Sequence, residues 1–220
     1  GSSWSASPAC NAARPSATYR RRRMTSAPVS LQTTTKKPME RRESLRQTVQ
    51  QKFGFVPQLF EELLRTNPAV AEAYLQAGAA LQRGVLSLLE QQVVQLTVAA
   101  WNACHYCTAA HGTAALGMGL APEAVDAILE GRLPEDERLA LLVETTRAVL
   151  ERRGWLAEDA LQQLEARGLD RTALYEIIAL IGVKTITNYI NHLAHTPVDE
   201  VFRPVTERTA YRRLVESTTV

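Results

Sequence analysis

Apolar residues recur at helical spacing along most of this 220-residue chain. Ser87-Leu88-Leu89-Glu90 has the form of a capping box, in which Ser87 and Glu90 satisfy each other's exposed backbone donors. It predicts a helix running to about Trp101, with Leu89, Val93, Leu96 and Ala100 on one face and Val94, Val98 and Trp101 beside it. Upstream, residues 40–52 form a polar helix stopped by Gly54 and Pro57. Asn67-Pro68, a cap followed by a proline at the first helical position, opens residues 69–82. Downstream, residues 103–116 make a helix ending at Gly117 and Gly119. Pro122 starts one closed by Gly131, Pro134 starts a long one closed by Gly154, and residues 156–167 form a short one. Asp170 caps a last large helix over residues 171–194, and Pro197 and Pro204 mark an irregular tail. No alternating strand pattern of useful length and no hairpin turn between apolar runs interrupts this series. The expectation is all-α: a single-domain, oligomeric bundle of about eight helices over residues 40–204, with 1–39 a disordered leader and 205–220 a C-terminal tail. The last helix is apolar around most of its girth, which suits either a subunit interface or the centre of the monomer.

Charge sharpens the domain boundary. Residues 1–39 hold seven basic residues and no acidic one, leaving eighteen basic against twenty-three acidic residues in the rest. The folded part is therefore mildly acidic, without an electrostatic footprint for nucleic acid. The Ser- and Arg-rich leader has too few apolar residues to offset chain entropy, and it lacks the amphipathic face of a transit peptide. The longest apolar stretch, residues 177–183, stops at Lys184, so no membrane span is expected.

The chemistry is concentrated in Cys104-His105-Tyr106-Cys107-Thr108-Ala109-Ala110-His111. On a regular helix Cys104, Cys107 and His111 fall within an arc of roughly 60°. With Cys104 in the first turn, unpaired N–H groups and the positive dipole end favour a thiolate. His111 lies four residues beyond Cys107, where an imidazole can exchange a proton with that sulfur. Two thiols at this spacing can also close a disulfide. The window thus offers an attacking sulfur, a resolving sulfur and a base. Two blander readings compete: inert core cysteines, and a zinc site with His111 third and His105 or a distant residue fourth, though no second Cys/His pair stands at ligand spacing. Cys10, in the leader, has no partner in sequence.

Residues 86–119, LSLLEQQVVQLTVAAWNACHYCTAAHGTAALGMG, with FGFVP at 53–57 and KTITNYINHLA at 184–194, resemble the alkylhydroperoxidase D / carboxymuconolactone decarboxylase-like family in its peroxidase-related branch. That resemblance implies an all-helical fold, assembly into trimers or hexamers, and thiol-dependent reduction of small hydroperoxides in the cytoplasm with an external dithiol as reductant. It implies no cofactor, no metal, and no nucleic-acid or membrane partner. By position, Cys107 resembles the cysteine oxidised to sulfenic acid, Cys104 its resolving partner and His111 the base. True carboxymuconolactone decarboxylases lack the cysteine pair, which argues against decarboxylation. One departure matters: where thiol-active members carry a relay glutamate this chain has Gln92, which can hydrogen-bond an imidazole but cannot carry a proton. The relay is then rewired through His105, Tyr106 or water. Alternatively turnover is poor, and the chain is a redox-responsive binding or adaptor protein. Trp101, Tyr106 and His105 flank the window as candidate walls of a substrate pocket, and Asn188 and His192 on the last helix are weaker candidates.

Overall fold

The computed structural model describes residues 38–218. The helices are α1 (Pro38–Phe53), α2 (Gln58–Thr66), α3 (Pro68–Leu81), α4 (Leu88–Trp101), α5 (His105–Gly117), α6 (Pro122–Leu129), α7 (Glu137–Arg152), α8 (Glu158–Ala166), α9 (Arg171–Ala194), α10 (Arg203–Thr206) and α11 (Thr209–Thr218), with a 3-10 turn at Glu200–Phe202. No strand occurs among the described residues. The chain is all-α, with eleven helices where about eight were expected.

Local signals fix most of the helix starts. Ser87 Oγ accepts from Glu90 N–H at 3.2 Å, and Glu90 Oε2 accepts from Ser87 N–H at 2.7 Å, so the capping box forms. Asn67 caps α3 through Ala69 N–H, and Asp170 caps α9 through Ala173 N–H. α4 is buried on almost every side through Val93, Val94, Leu96, Val98 and Ala99, and it packs on α5, α7 and α9. Each of these valines and the leucine contributes about 1.5–3 kcal/mol of burial. A second apolar cluster joins Val49, Leu59, Phe60, Leu63, Leu64 and Ala71 from α1–α3 to Ala99, Cys104, Tyr106 and Cys107. The cysteine pair therefore sits where the N-terminal helices close over α4 and α5.

Three expectations are corrected, and the expected absence of a membrane span has to be weighed against α9. Pro57, read as a stop, is the N-cap of α2, a nine-residue helix burying Leu59, Phe60, Leu63 and Leu64 that is too short for a periodicity window to detect. Residues 205–218 are not a tail: Pro204 lies in the first turn of α10, and Val205, Ala210 and Tyr211 are buried in the main core. α5 starts at His105 because Ala103 adopts φ +53 and Cys104 is extended, which leaves Cys104 as the cap rather than a first-turn residue. Finally, α9 is long and apolar enough, by length and composition, to cross a membrane. It nevertheless buries Glu176, Lys184, Thr187, Asn188 and Asn191 against the protein's own groups, as a core helix does. The leader, residues 1–37 as far as it precedes α1, lies outside the described residues, as does Cys10.

One turn has no room for a side chain. The carboxylate of buried Glu176 accepts from Val85 N–H at 2.6 Å, Leu86 N–H at 3.3 Å and Gln91 Nε2 at 3.0 Å, tying α9 to the start of α4. A Cβ added at Gly84 would fall inside that carboxylate. Gly84→Ala is expected to cost about 1–3 kcal/mol, measured as a lowered thermal midpoint, because Glu176 must abandon its donors.

Candidate active site

The α4–α5 turn sets the two sulfurs. Cys104 N–H donates to Ala99 O, and its own carbonyl accepts from Thr108 N–H, both at 2.9 Å. This holds Cys104 just before α5 and puts Cys107 in its first turn, where free N–H groups and the dipole favour negative charge. Both are free, buried thiols, and the Cys104 thiol hydrogen-bonds to the Cys107 sulfur.

The pair is asymmetric. Burial pushes the Cys107 thiol up. The Cys104 hydrogen bond, the Lys184 ammonium, and the polar side chains of Thr187 and Asn188 outweigh it and bring the group down to about 5. Asn191 Nδ2 donates to Cys107 Sγ at 3.2 Å and lies 4.0 Å from Cys104 Sγ, and Thr187 Oγ1 is 3.8 Å from Cys107 Sγ. Cys104 moves the other way: donating its proton to Cys107, then burial, then the neighbouring negative charge, hold it as a thiol.

Lys184 is the counter-charge. It is 1% exposed, donates from Nζ to Tyr74 Oη at 2.9 Å, and lies 5.3 Å from that ring's centroid. Burial lowers its affinity for the proton, but Tyr74 and the Cys107 thiolate raise it further, so it stays an ammonium. A buried cation needs a compensating anion, and the thiolate is the one that lines the same cavity. His111 is kept neutral, first by burial and then by Lys184. Its Nδ1 stands 2.8 Å from Gln92 Oε1. With the amide oxygen accepting, Nδ1 carries the proton and Nε2 presents a lone pair. No hydrogen bond joins His111 to Cys107 among the described residues.

Cys107, His111, Gln92 and Lys184 line a cavity of about 250 Å³ walled by Phe53, Phe55, Phe60, Phe202, Tyr74 and Tyr106. Phe60 stands 5.4 Å from Phe53 and 5.9 Å from Tyr74, centroid to centroid, and Tyr106 meets Phe202 edge-on at 5.8 Å. Tyr106 is also a clamp: its hydroxyl donates to Asp199 Oδ2 at 2.6 Å and accepts from Leu59 N–H at 3.3 Å, pinning α5 to the start of α2.

Of the residues singled out in the sequence, Cys104, Cys107, His111, Gln92 and Tyr106 come together. Trp101 does not: it is 48% exposed at the end of α4 and lines no part of this cavity. His105 lies on the other side of the pair, in a polar recess with Cys104, Asn191, His192 and His195, so it is not placed to relay protons to His111. Asn188 accepts from Asn102 Nδ2 at 2.9 Å and so braces the α4–α5 turn. No group of three or more His, Cys, Asp or Glu with metal-holding geometry occurs among the described residues. Lys184, Tyr74, Thr187 and Asn191 were not foreseen as site residues, although a lysine ending the apolar run 177–183 was itself the available signal.

Residues 68–141, which carry α4, α5 and the whole Cys104–His111 window, match the Carboxymuconolactone decarboxylase family. That match covers about a third of the chain. Among solved structures, its fold is similar to the alkylhydroperoxidase AhpD core of an uncharacterized peroxidase-related protein from Ralstonia eutropha JMP134. The TM-score is 0.65 at 23% identity, covering 73% of this chain and 87% of that one. A peroxidase-related protein from Silicibacter sp. TM1040 gives 0.62 at 19% identity, covering 73% and 85%. The debrominase Bmp8 gives 0.58 at 18% identity, covering 79% and 91%, and a cysteine-to-alanine variant of it has been solved with 2,3,4-tribromopyrrole. No curated protein sequence matches this chain.

Proposed function

We propose that this chain is a thiol-dependent peroxidase acting on small organic hydroperoxides. The observation that carries the reading is the Cys107 thiolate beside Lys184, in contact with the Cys104 thiol and opening onto an aromatic cavity. The thiolate attacks the terminal peroxide oxygen, the O–O bond breaks, the hydroxyl stays on sulfur, and the alcohol leaves as its oxygen takes a proton from water. Lys184 and Tyr74 stabilise the charge developing on that oxygen. His111 Nε2, a neutral acceptor, orients the hydroperoxide O–H, and Gln92 holds the ring in the required tautomer. Cys107 sulfenic acid then condenses with the Cys104 thiol, releasing water and forming a disulfide. An external dithiol returns two electrons and two protons.

Purified protein is expected to consume cumene hydroperoxide with dithiothreitol. His111→Ala is expected to slow it about tenfold or more, measured as peroxide loss. If the disulfide forms but no catalytic turnover follows, the chain is the redox-responsive binding protein that Gln92 suggested. The aromatic walls favour a second substrate class: a flat halogenated ring such as the bromopyrrole bound by Bmp8, tested by thiol-dependent bromide release.

The reading places the protein in a reducing compartment, the cytoplasm, where a thiol supply regenerates the pair. It also includes self-association into a trimer or hexamer. Tyr175, Ile178, Ile186, Tyr189 and Leu193 form an exposed apolar stripe along α9, and light scattering is expected to give a mass above that of one chain.

A further inference from the structure

The cysteine pair stands between two recesses of different chemistry. Cys107 lines the aromatic cavity; Cys104 lines a polar recess of about 430 Å³ with Asn102, His105, Asn191, His192, His195 and Thr196. We infer that the polar recess admits the reductant, a small thiol carrying a carboxylate, which attacks Cys104 in the Cys104–Cys107 disulfide. This rests on the disulfide chemistry proposed above.

Three features carry it. Among the described residues the lining holds three imidazoles and no Asp or Glu, so its ring N–H groups suit a carboxylate. Thr196 Oγ1 in this wall is buried without a hydrogen-bond partner, and its hydroxyl can donate to a carboxylate. Unpartnered buried polar atoms are rare in native structures, and a ligand here would supply what they lack.

The third feature is the direction of exchange. Attack on one sulfur expels the other, and the more stabilised thiolate leaves faster. Attack on Cys104 expels Cys107 into the place where Lys184, Asn191 and Thr187 hold its charge; attack on Cys107 would expel Cys104, which is held as a thiol. In the first step R–S⁻ bonds to the Cys104 sulfur, the Cys104–Cys107 bond breaks, and its electron pair stays on Cys107. A second R–S⁻ then attacks the R sulfur of the mixed disulfide and releases R–S–S–R. Cys104 leaves as a thiolate and takes a proton given up by the thiols. In sum, two thiols are oxidised by two electrons and one disulfide is reduced. In the dithiol state Cys104 has no exposed surface, so the turn before it must yield to admit the thiol. Ala103, a non-glycine residue at φ +53, stands in that turn.

The test begins with full-length protein oxidised by diamide rather than by peroxide, so that disulfide reduction is read apart from peroxidase turnover. Mercaptopropionate, mercaptoethanol and cysteamine are compared as rates per thiolate. The carboxylate thiol is expected to be about tenfold faster than the neutral one, and the amine slowest. His192→Ala is expected to shrink the carboxylate preference to about twofold, and acid-quenched mixed disulfide is expected on Cys104 by peptide mapping. Equal rates for the three thiols, or an adduct on Cys107, overturn the inference while leaving the peroxidase reading intact. If diamide forms the disulfide and peroxide does not, the peroxidase reading fails and this one stands; if diamide forms none, both fail.

Discussion

Replacing Cys107 with serine is expected to remove hydroperoxide turnover, by at least about a thousandfold, while leaving the fold unchanged. Serine is nearly isosteric, but its hydroxyl stays protonated where the thiol does not. The Lys184 ammonium, the Asn191 amide and the first turn of α5 would then surround a neutral oxygen of little nucleophilicity. Cys104→Ser separates the two sulfurs' roles. That variant is expected to react once with peroxide and stop, with sulfenic acid on Cys107 that a dimedone-type probe captures. Steady-state peroxide loss with unchanged thermal unfolding checks both. Turnover in Cys107→Ser equal to wild type would remove the mechanism proposed here.

Lys184→Met is expected to have the next largest effect, and the effect should depend on pH. The side chains are similar in volume, so the core can accept the change, but Cys107 loses the buried cation of its cavity. An opposite charge at close range is worth about 1–3 pKa units, so the thiol should rise from about 5 towards its ordinary value of 9.0. At pH 6 turnover should fall between about two- and a hundredfold through lost thiolate alone, and that part of the loss should close as the pH approaches 9, leaving the part due to the leaving oxygen. Fold stability follows the same pKa difference. The folded-state value lies below the ordinary one, so the thiolate stabilises the wild-type fold increasingly as pH rises from about 5 to 9. That contribution is lost as pH falls through 5. Lys184→Met should flatten this slope. A loss of activity that is equal at every pH would mean that Lys184 does not lower the Cys107 thiol.

What could be read from the sequence followed the range of the interactions. Capping at Asn67, Ser87 and Asp170, and the Cys104–Cys107–His111 spacing, are written within eight residues of chain, and the structure contains each of them. The extent of the fold was harder. Pro57 and Pro204 end one element and open another, and only the tertiary burial of Phe60 or Tyr211 tells which sense prevails. The site itself was half legible. Asn191 reaches Cys107, and Lys184 and Tyr74 reach its cavity, from helices far away in sequence, and no local spacing encodes that convergence. Trp101 misled for the opposite reason: next to the motif in sequence, it lies at the last residue of α4 and turns to the surface. Gln92 kept its place against the imidazole. A neutral amide suits a site whose positive charge lies on Lys184 and whose histidine stays neutral.

The most direct measurement is a pH titration of thiolate ultraviolet absorbance in the reduced protein, repeated with Cys107→Ser. One thiolate should appear with a midpoint near pH 5, before any other cysteine ionises, and it should be missing from the variant. A reduced protein showing no thiolate until the ordinary thiol range near pH 9, or the same early ionisation in Cys107→Ser, would contradict a resident, lysine-held nucleophile at Cys107.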